Sequence, residues 1–207
     1  MPAAYVDQVA TNYSTSSKTS GYLTIWRPAG VSSGNLAVVT LQLFGSTASG
    51  AVAVTDSRGN TYRVGSDVSD AAGSRLVILY APIAMALVVN DRITATFPTS
   101  ATGYRIAADE FAGVTQLDQA AADGGSAAQF SSGTTGTTTA GVVFAAVATK
   151  AGSGNPTWAA GWKAITPYAV GSSYLARAYQ LPTSAGTYSA SGTTSGTWLA
   201  AVVTFTP

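Results

Sequence analysis

The chain has 207 residues, ten basic and nine acidic side chains, no histidine and no cysteine. Without imidazole or thiol there is no Ser-His-Asp triad, no Cys-His nucleophile and no His/Cys zinc, copper or haem site of the usual kinds. Charged residues make up only 9%, against about a quarter in a typical globular domain, so part of the surface is expected to face other protein.

Short β-branched and aromatic runs, broken by Gly, Ser, Thr and Pro clusters and free of a 3.6-residue period, predict an all-β chain. The predicted strands are 5–10, 21–26, 36–44, 51–55, 61–64, 75–80, 92–97, 104–111, 141–150, 162–166, 174–181, 187–190 and 197–205. Residues 1–20 read as an N-terminal arm or edge strand. Asp56-Ser57-Arg58-Gly59-Asn60 predicts a tight hairpin with a positive-φ position. Residues 85–89 have helical propensity but sit between two predicted strands, and read as a connection. A single β-sandwich domain, 1–207, suits this length.

The halves share a faint pattern. Residues 35–44, 56–64, 75–84, 91–97 and 104–111 are matched in order by 140–150, 160–166, 174–182, 185–190 and 197–205. Each series runs from a long apolar strand, through a short strand, a Tyr-bearing strand near a Pro and a Thr-rich strand, to a closing apolar strand. The expected architecture is a two-sheet antiparallel β-sandwich, jelly-roll-like, with an internal pseudo-two-fold repeat, because each sheet needs a partner over its apolar face. Residues 36–39 and 141–147 are apolar on both alternate sets, where a strand with one wet face would alternate. The N-terminal segment, loops or a neighbouring subunit are expected to cover the extra face.

The stretch 23–39, with Pro28-Ala29-Gly30-Val31-Ser32-Ser33-Gly34-Asn35-Leu36 at its centre, resembles a β-sandwich domain recurrent in bacteriophage virion proteins and bacterial surface proteins. In that group a Pro-x-Gly-Val-x-x-Gly-Asp-Leu-Leu motif opens the long central strand, and Asn35 stands where the group has Asp. Phe111-Ala112-Gly113-Val114 followed by Leu117-Asp118, the Gly161-Trp162 pair and the closing Thr197-Trp198-Leu199-Ala200-Ala201 extend the likeness over residues 20–207. The resemblance implies an architecture and a setting, capsid or tail; it implies no reaction and supplies no functional residue.

Adjacent carboxylates on a strand point to opposite faces, so Asp109 and Glu110 do not make a glycosidase pair. One of them is expected to pair with Arg105 or an arginine of another strand. A glycosidase would need two remote acids among Asp7, Asp56, Asp67, Asp70, Asp91, Asp118 and Asp123, and nothing selects a pair. Asp67 and Asp70 read as solvated loop acids rather than calcium ligands; no metal and no cofactor is expected. The Ser/Thr/Gly tract 131–139 reads as an exposed linker or strand edge.

Trp158, Trp162, Tyr168 and Tyr174 are the candidate glycan- or partner-binding residues, because aromatic faces stack on sugar rings and anchor interfaces. Core or edge packing is the competing role for each. Trp158, after Gly154-Asn155-Pro156, is the one expected to be most exposed.

Basic residues scattered singly from Lys18 to Arg177 give no footprint for nucleic acid. No apolar run approaches a membrane span of about 18 residues, and the N-terminus lacks the basic and apolar regions of a signal peptide; neither membrane insertion nor ordinary export is expected. The expected function is non-enzymatic: a bacteriophage virion structural protein, resident in the particle, in the first place a capsid decoration or accessory subunit. Alternatives are a tail or fibre component, a glycan-binding host-attachment module, and a bacterial cell-surface adhesion domain. Expected partners are copies of the chain as a homo-oligomer, guessed to be a trimer, major capsid or tail proteins, and surface glycans.

Overall fold

The computed structural model describes residues 1–150 and 152–207. Among these residues there is no helix, and sixteen strands form four antiparallel sheets. The first eight are β1 (Ala4–Ser14), β2 (Lys18–Thr24), β3 (Leu36–Leu43), β4 (Ala53–Asp56), β5 (Arg63–Ser69), β6 (Arg75–Pro82), β7 (Arg92–Ser100) and β8 (Tyr104–Ala112). The second eight are β9 (Gln116–Gly125), β10 (Gln129–Ser131), β11 (Val142–Thr149), β12 (Thr157–Trp158), β13 (Lys163–Val170), β14 (Ser173–Gln180), β15 (Ser191–Thr193) and β16 (Trp198–Thr206).

The first eight strands build a five-stranded sheet, β1-β8-β3-β6-β5, and a three-stranded sheet, β2-β7-β4. The second eight build β9-β16-β11-β14-β13 and β10-β15-β12. Adding eight to every strand of the first pair of sheets gives the second pair. The chain is therefore one jelly-roll-like sandwich written twice, and the faint repeat in the sequence is its trace.

Period-two alternation explains the layers. Ala37, Val39 and Leu41 of β3, with Val77 and Leu79 of β6, pack on Leu23, Ile25, Ile93 and Ala95 beneath the sheet β2-β7-β4. Leu36, Val38, Leu76, Ile78 and Phe111 face the opposite way and meet Val142, Phe144, Leu199, Val203 and Phe205 of the second five-stranded sheet. On that sheet's far side, Val143, Ala145 and Val202 lie with Ala190 and Trp162, while Val147 and Ala200 lie with Phe130 and Trp198. Each large apolar side chain so buried contributes about 1.5–3 kcal/mol.

The two repeats thus join through their five-stranded sheets, and a small sheet caps each outer face. The doubly apolar strands are covered by the chain's own outer sheets, so they give no reason for a second copy. Register shows the pseudo-two-fold: Tyr80 stands opposite Val38 and Tyr179 opposite Phe144. The Tyr80 ring lies 5.4 Å from Phe205 and the Tyr179 ring 5.9 Å from Phe111. These are one contact made from each side, as two-fold packing requires.

Three expectations are corrected. The Asp56 turn has its positive-φ Gly59 (φ 78°), and the Asp56 carboxylate accepts from the Arg58 amide at 2.8 Å. It is no hairpin, however: β4 pairs with β7 and β5 with β6, so the turn carries the chain from one sheet to the other. The tract 131–139, exposed at its other positions and running as an edge along 186–190, is not a free linker, since Ser132, Thr135 and Thr138 are buried. Their amides donate to the carbonyls of Ala190, Tyr188 and Gly186 at 2.9 Å, and the Ser132 and Thr135 hydroxyls accept from the amides of Ala190 and Tyr188. Small hydroxylated side chains tuck under the strap where bulky ones would hold it off. Strands β9, β10 and β12, absent from the prediction, and β15, which forms at Ser191–Thr193 where 187–190 was expected, are the third correction.

Candidate functional site

The four aromatic candidates do not converge. Trp158 is half-buried rather than exposed, with its ring 5.4 Å from Phe130 in edge contact and 5.4 Å from Trp162. Gly192 lies opposite both Phe130 and Trp158, so these rings share the inward face of the outer sheet. The groove beside them, about 630 Å³, is lined by Phe130 and Trp158 together with Gln129, Ser131, Thr157, Ser191 and Thr193. Tyr168 sits in the seam between the repeats, 6.3 Å from Tyr13. Tyr174 is half-buried at the end of β14, its amide on the Thr149 hydroxyl at 3.0 Å. Packing accounts for Trp158, Trp162 and Tyr168.

The carboxylates Asp109 and Glu110 are both fully buried and do face opposite ways. Glu110 points toward the first outer sheet, where it is paired with Arg27 and accepts from the Ser32 amide at 2.8 Å and the Asn35 side-chain amide at 2.7 Å. Arg27 also donates to the Gly30 carbonyl at 2.9 Å. The motif that opens the central strand is therefore a cradle for one buried carboxylate. Gly30 is required in it: φ is +63°, and a Cβ would run into the Leu87 carbonyl.

Asp109 points into the seam between repeats and meets Arg177 at 3.1 Å, both side chains being inaccessible. Burial pushes Asp109 up to about 6, against the pull of Arg177. The same guanidinium donates to the Gln8 side-chain Oε1 at 2.8 Å and to the Thr166 backbone carbonyl at 3.2 Å. Arg105 takes part in neither pair. Asp67 and Asp70 are ion-paired rather than solvated, with Arg75 at 2.6 Å and Lys150 at 3.0 Å. Among the described residues no three acidic side chains gather as metal ligands.

Above the Asp109–Arg177 pair lies an open cleft of about 380 Å³ between edge strands β1 and β13. It is lined by Tyr5, Asp7, Gln8, Trp26, Ala164, Ile165 and Thr166. Trp26 is 61% exposed between buried Ile25 and buried Arg27. The backbone just before it is held, because the Ile25 amide donates to the Asp91 carbonyl and the Asn90 amide to the Ile25 carbonyl, each at 2.9 Å. Tyr5 stacks on Tyr179 at 4.7 Å, and burial together with the Asp109 carboxylate keeps its phenol protonated well above the usual range. Asp7 accepts from the Gln8 amide at 2.8 Å and lies 3.7 Å from Arg27.

Chemically the cleft offers an aromatic face, one solvent-facing carboxylate and one amide of fixed orientation. Sequence reasoning passed over Trp26 by assigning it to a strand end. The signal was present in the alternation: Leu23 and Ile25 point inward, which sends Tyr22, Thr24 and Trp26 outward. Gln8 gave no such signal, because its orientation comes from an arginine 169 positions away. The fold and cleft define the class as a duplicated jelly-roll-like protein with an open cleft between β1 of the first repeat and β13 of the second. Comparison of the chain with protein-family models, curated proteins and solved structures finds no match.

Proposed function

We propose that this chain is a non-enzymatic structural protein of a bacteriophage virion, a capsid decoration or accessory subunit, with a place in the tail or fibre as the alternative position. The observation that carries this reading is the fusion of two sandwiches through a continuous apolar core, which makes a rigid four-layer block. Its fully buried acids are spent on cross-strand arginine pairs. The cleft holds a single open carboxylate, whereas glycoside hydrolysis takes two flanking the bond. The resemblance of residues 23–39 to virion domains points the same way.

The surface for contact with capsid or tail protein is the connection between β6 and β7, where Met85, Val88 and Val89 stand exposed together. Asn60 holds that connection in place, its side-chain oxygen accepting from the amides of Ala84 and Met85 at 2.9 Å. Self-association, if it accompanies binding to the particle, uses this surface and not the doubly apolar strands.

Immunogold electron microscopy tests the assignment. Antibody against the chain should label intact phage particles, and purified protein should rebind particles stripped of it, more weakly after Met85→Ser/Val88→Ser/Val89→Ser. Label confined to the bacterial envelope overturns the proposal in favour of a cell-surface adhesion domain.

A further inference from the structure

We propose that the cleft between β1 and β13 binds a neutral saccharide, with Trp26 as the platform under a sugar ring and Asp7 and Gln8 as its hydrogen-bonding partners. Three observations carry this. Trp26 is 61% exposed and follows Ile25, whose amide and carbonyl are both hydrogen-bonded, an arrangement that leaves a large apolar face in water. Gln8 has its carbonyl oxygen committed to Arg177, which leaves its NH2 to donate, and Asp7, half in solvent, accepts. A sugar ring matches that set: its C–H face stacks on an aromatic, and its hydroxyls both donate and accept.

The third observation is an asymmetry. The pseudo-two-fold relates the β1/β13 seam to the β9/β5 seam. At the latter, Leu117 of β9 packs over Gly65 of β5 and joins the central core, and the two strands are in close contact. The β1/β13 seam is closed at one end by Tyr13 and Tyr168 and is open at the other, beside Trp26. Its volume of about 380 Å³ lies within the span of small-ligand sites, about 300–1,000 Å³. The carboxylate of Asp7, half in solvent and sharing Arg27 with the buried Glu110, favours neutral over acidic sugars.

The inference stands apart from the virion assignment, and the two have separate readouts. The full chain is screened on an array of neutral and sialylated oligosaccharides, and the best neutral glycan is titrated calorimetrically. Trp26→Ala should weaken binding at least tenfold with unchanged thermal unfolding, Trp26→Tyr should retain most of it, and Asp7→Asn should weaken it severalfold. Met85→Ser/Val88→Ser/Val89→Ser should leave it intact. Absence of any neutral glycan ligand, a preference for sialylated ones, or binding that survives Trp26→Ala overturns the proposal. So does a Trp26→Ala variant that loses particle rebinding alone, since that makes Trp26 a protein contact.

Discussion

Asp109 and Arg177 form a buried ion pair at 3.1 Å between the two repeats, and the pseudo-two-fold sets Ile78 and Val203 in the corresponding places. The register gives this directly: Asp109 and Ile78 stand opposite Val38 and Thr40 of β3, as Val203 and Arg177 stand opposite Phe144 and Ala146 of β11. One side of the seam is ionic and the related side apolar.

The ionic side costs stability when it is broken on one side only. Asp109 has a folded pKa of about 6, above its ordinary 3.8, so the folded chain binds this proton more tightly than the unfolded one. Its contribution is fully present below about pH 4 and is lost as pH rises through about 6. Arg177→Met removes the counter-charge and should destabilise by about 3–5 kcal/mol at pH 7.5. The deficit should shrink at pH 5, where the carboxyl takes up a proton. Asp109→Leu/Arg177→Met, which removes both charges, should recover most of the loss. Urea unfolding of the three proteins at the two pH values checks this, and a pH-independent deficit contradicts it.

Asn35→Asp should be the most damaging conservative change in the loop before β3. Asn35 donates to the Glu110 oxygen at 2.7 Å, and the substitution puts a second carboxylate at that distance in a buried site. The expected loss is about 2–4 kcal/mol at pH 7. Asn35→Ala, which loses a hydrogen bond to a charged group without adding charge, should cost about 1.5–3 kcal/mol. Equal losses for the two variants at pH 7 contradict the reading.

Trp198→Ala should cost about 3–5 kcal/mol. The ring is 6% exposed, lies 6.4 Å from Phe130, and donates its N–H to the Ala127 carbonyl at 3.0 Å. Trp158→Ala, half-buried in the same cluster, should cost less, about 2–3 kcal/mol, and should loosen the sheet β10-β15-β12. Thermal unfolding ranks the pair, and hydrogen exchange over 129–131 and 191–193 locates the second effect.

What was legible in the sequence is what side-chain periodicity writes. Leu36 to Leu43 and Val142 to Thr149 announced strands covered on both faces, and the series 35–111 and 140–205 announced the repeat. Strands 5–10 and 21–26 stood where β1 and β2 are, but the start of the second repeat was hidden. β9 reads Gln-Leu-Asp-Gln-Ala-Ala-Ala-Asp-Gly-Gly, poor in β-branched residues, and is a strand because β16 lays Val202 and Val203 against Ala121 and Ala120. β12 and β15 have two and three residues, too short for any period to show, and Gly192 between Phe130 and Thr157 sets their spacing. The partner of Asp109 was expected to be an arginine, and only the folded chain says which one, since 68 residues separate the pair.

The seam also makes the repeats choose each other. Two copies of the first repeat joined by the same two-fold would set Asp109 against Ile78, and two copies of the second would set Arg177 against Val203, each burying unpaired charge. Residues 1–114 and 115–207 expressed together as separate chains should therefore copurify as a one-to-one complex, while 1–114 alone should stay monomeric or aggregate. Asp109→Val in 1–114 gives that fragment the apolar residue of its counterpart. It should allow a symmetric homodimer built on Tyr80–Phe111 contacts and weaken the preference for 115–207. Analytical ultracentrifugation of the fragments and mixtures reads both outcomes. If the unmodified 1–114 homodimerises as well as the Asp109→Val form, the buried pair is not what makes the repeats choose one another.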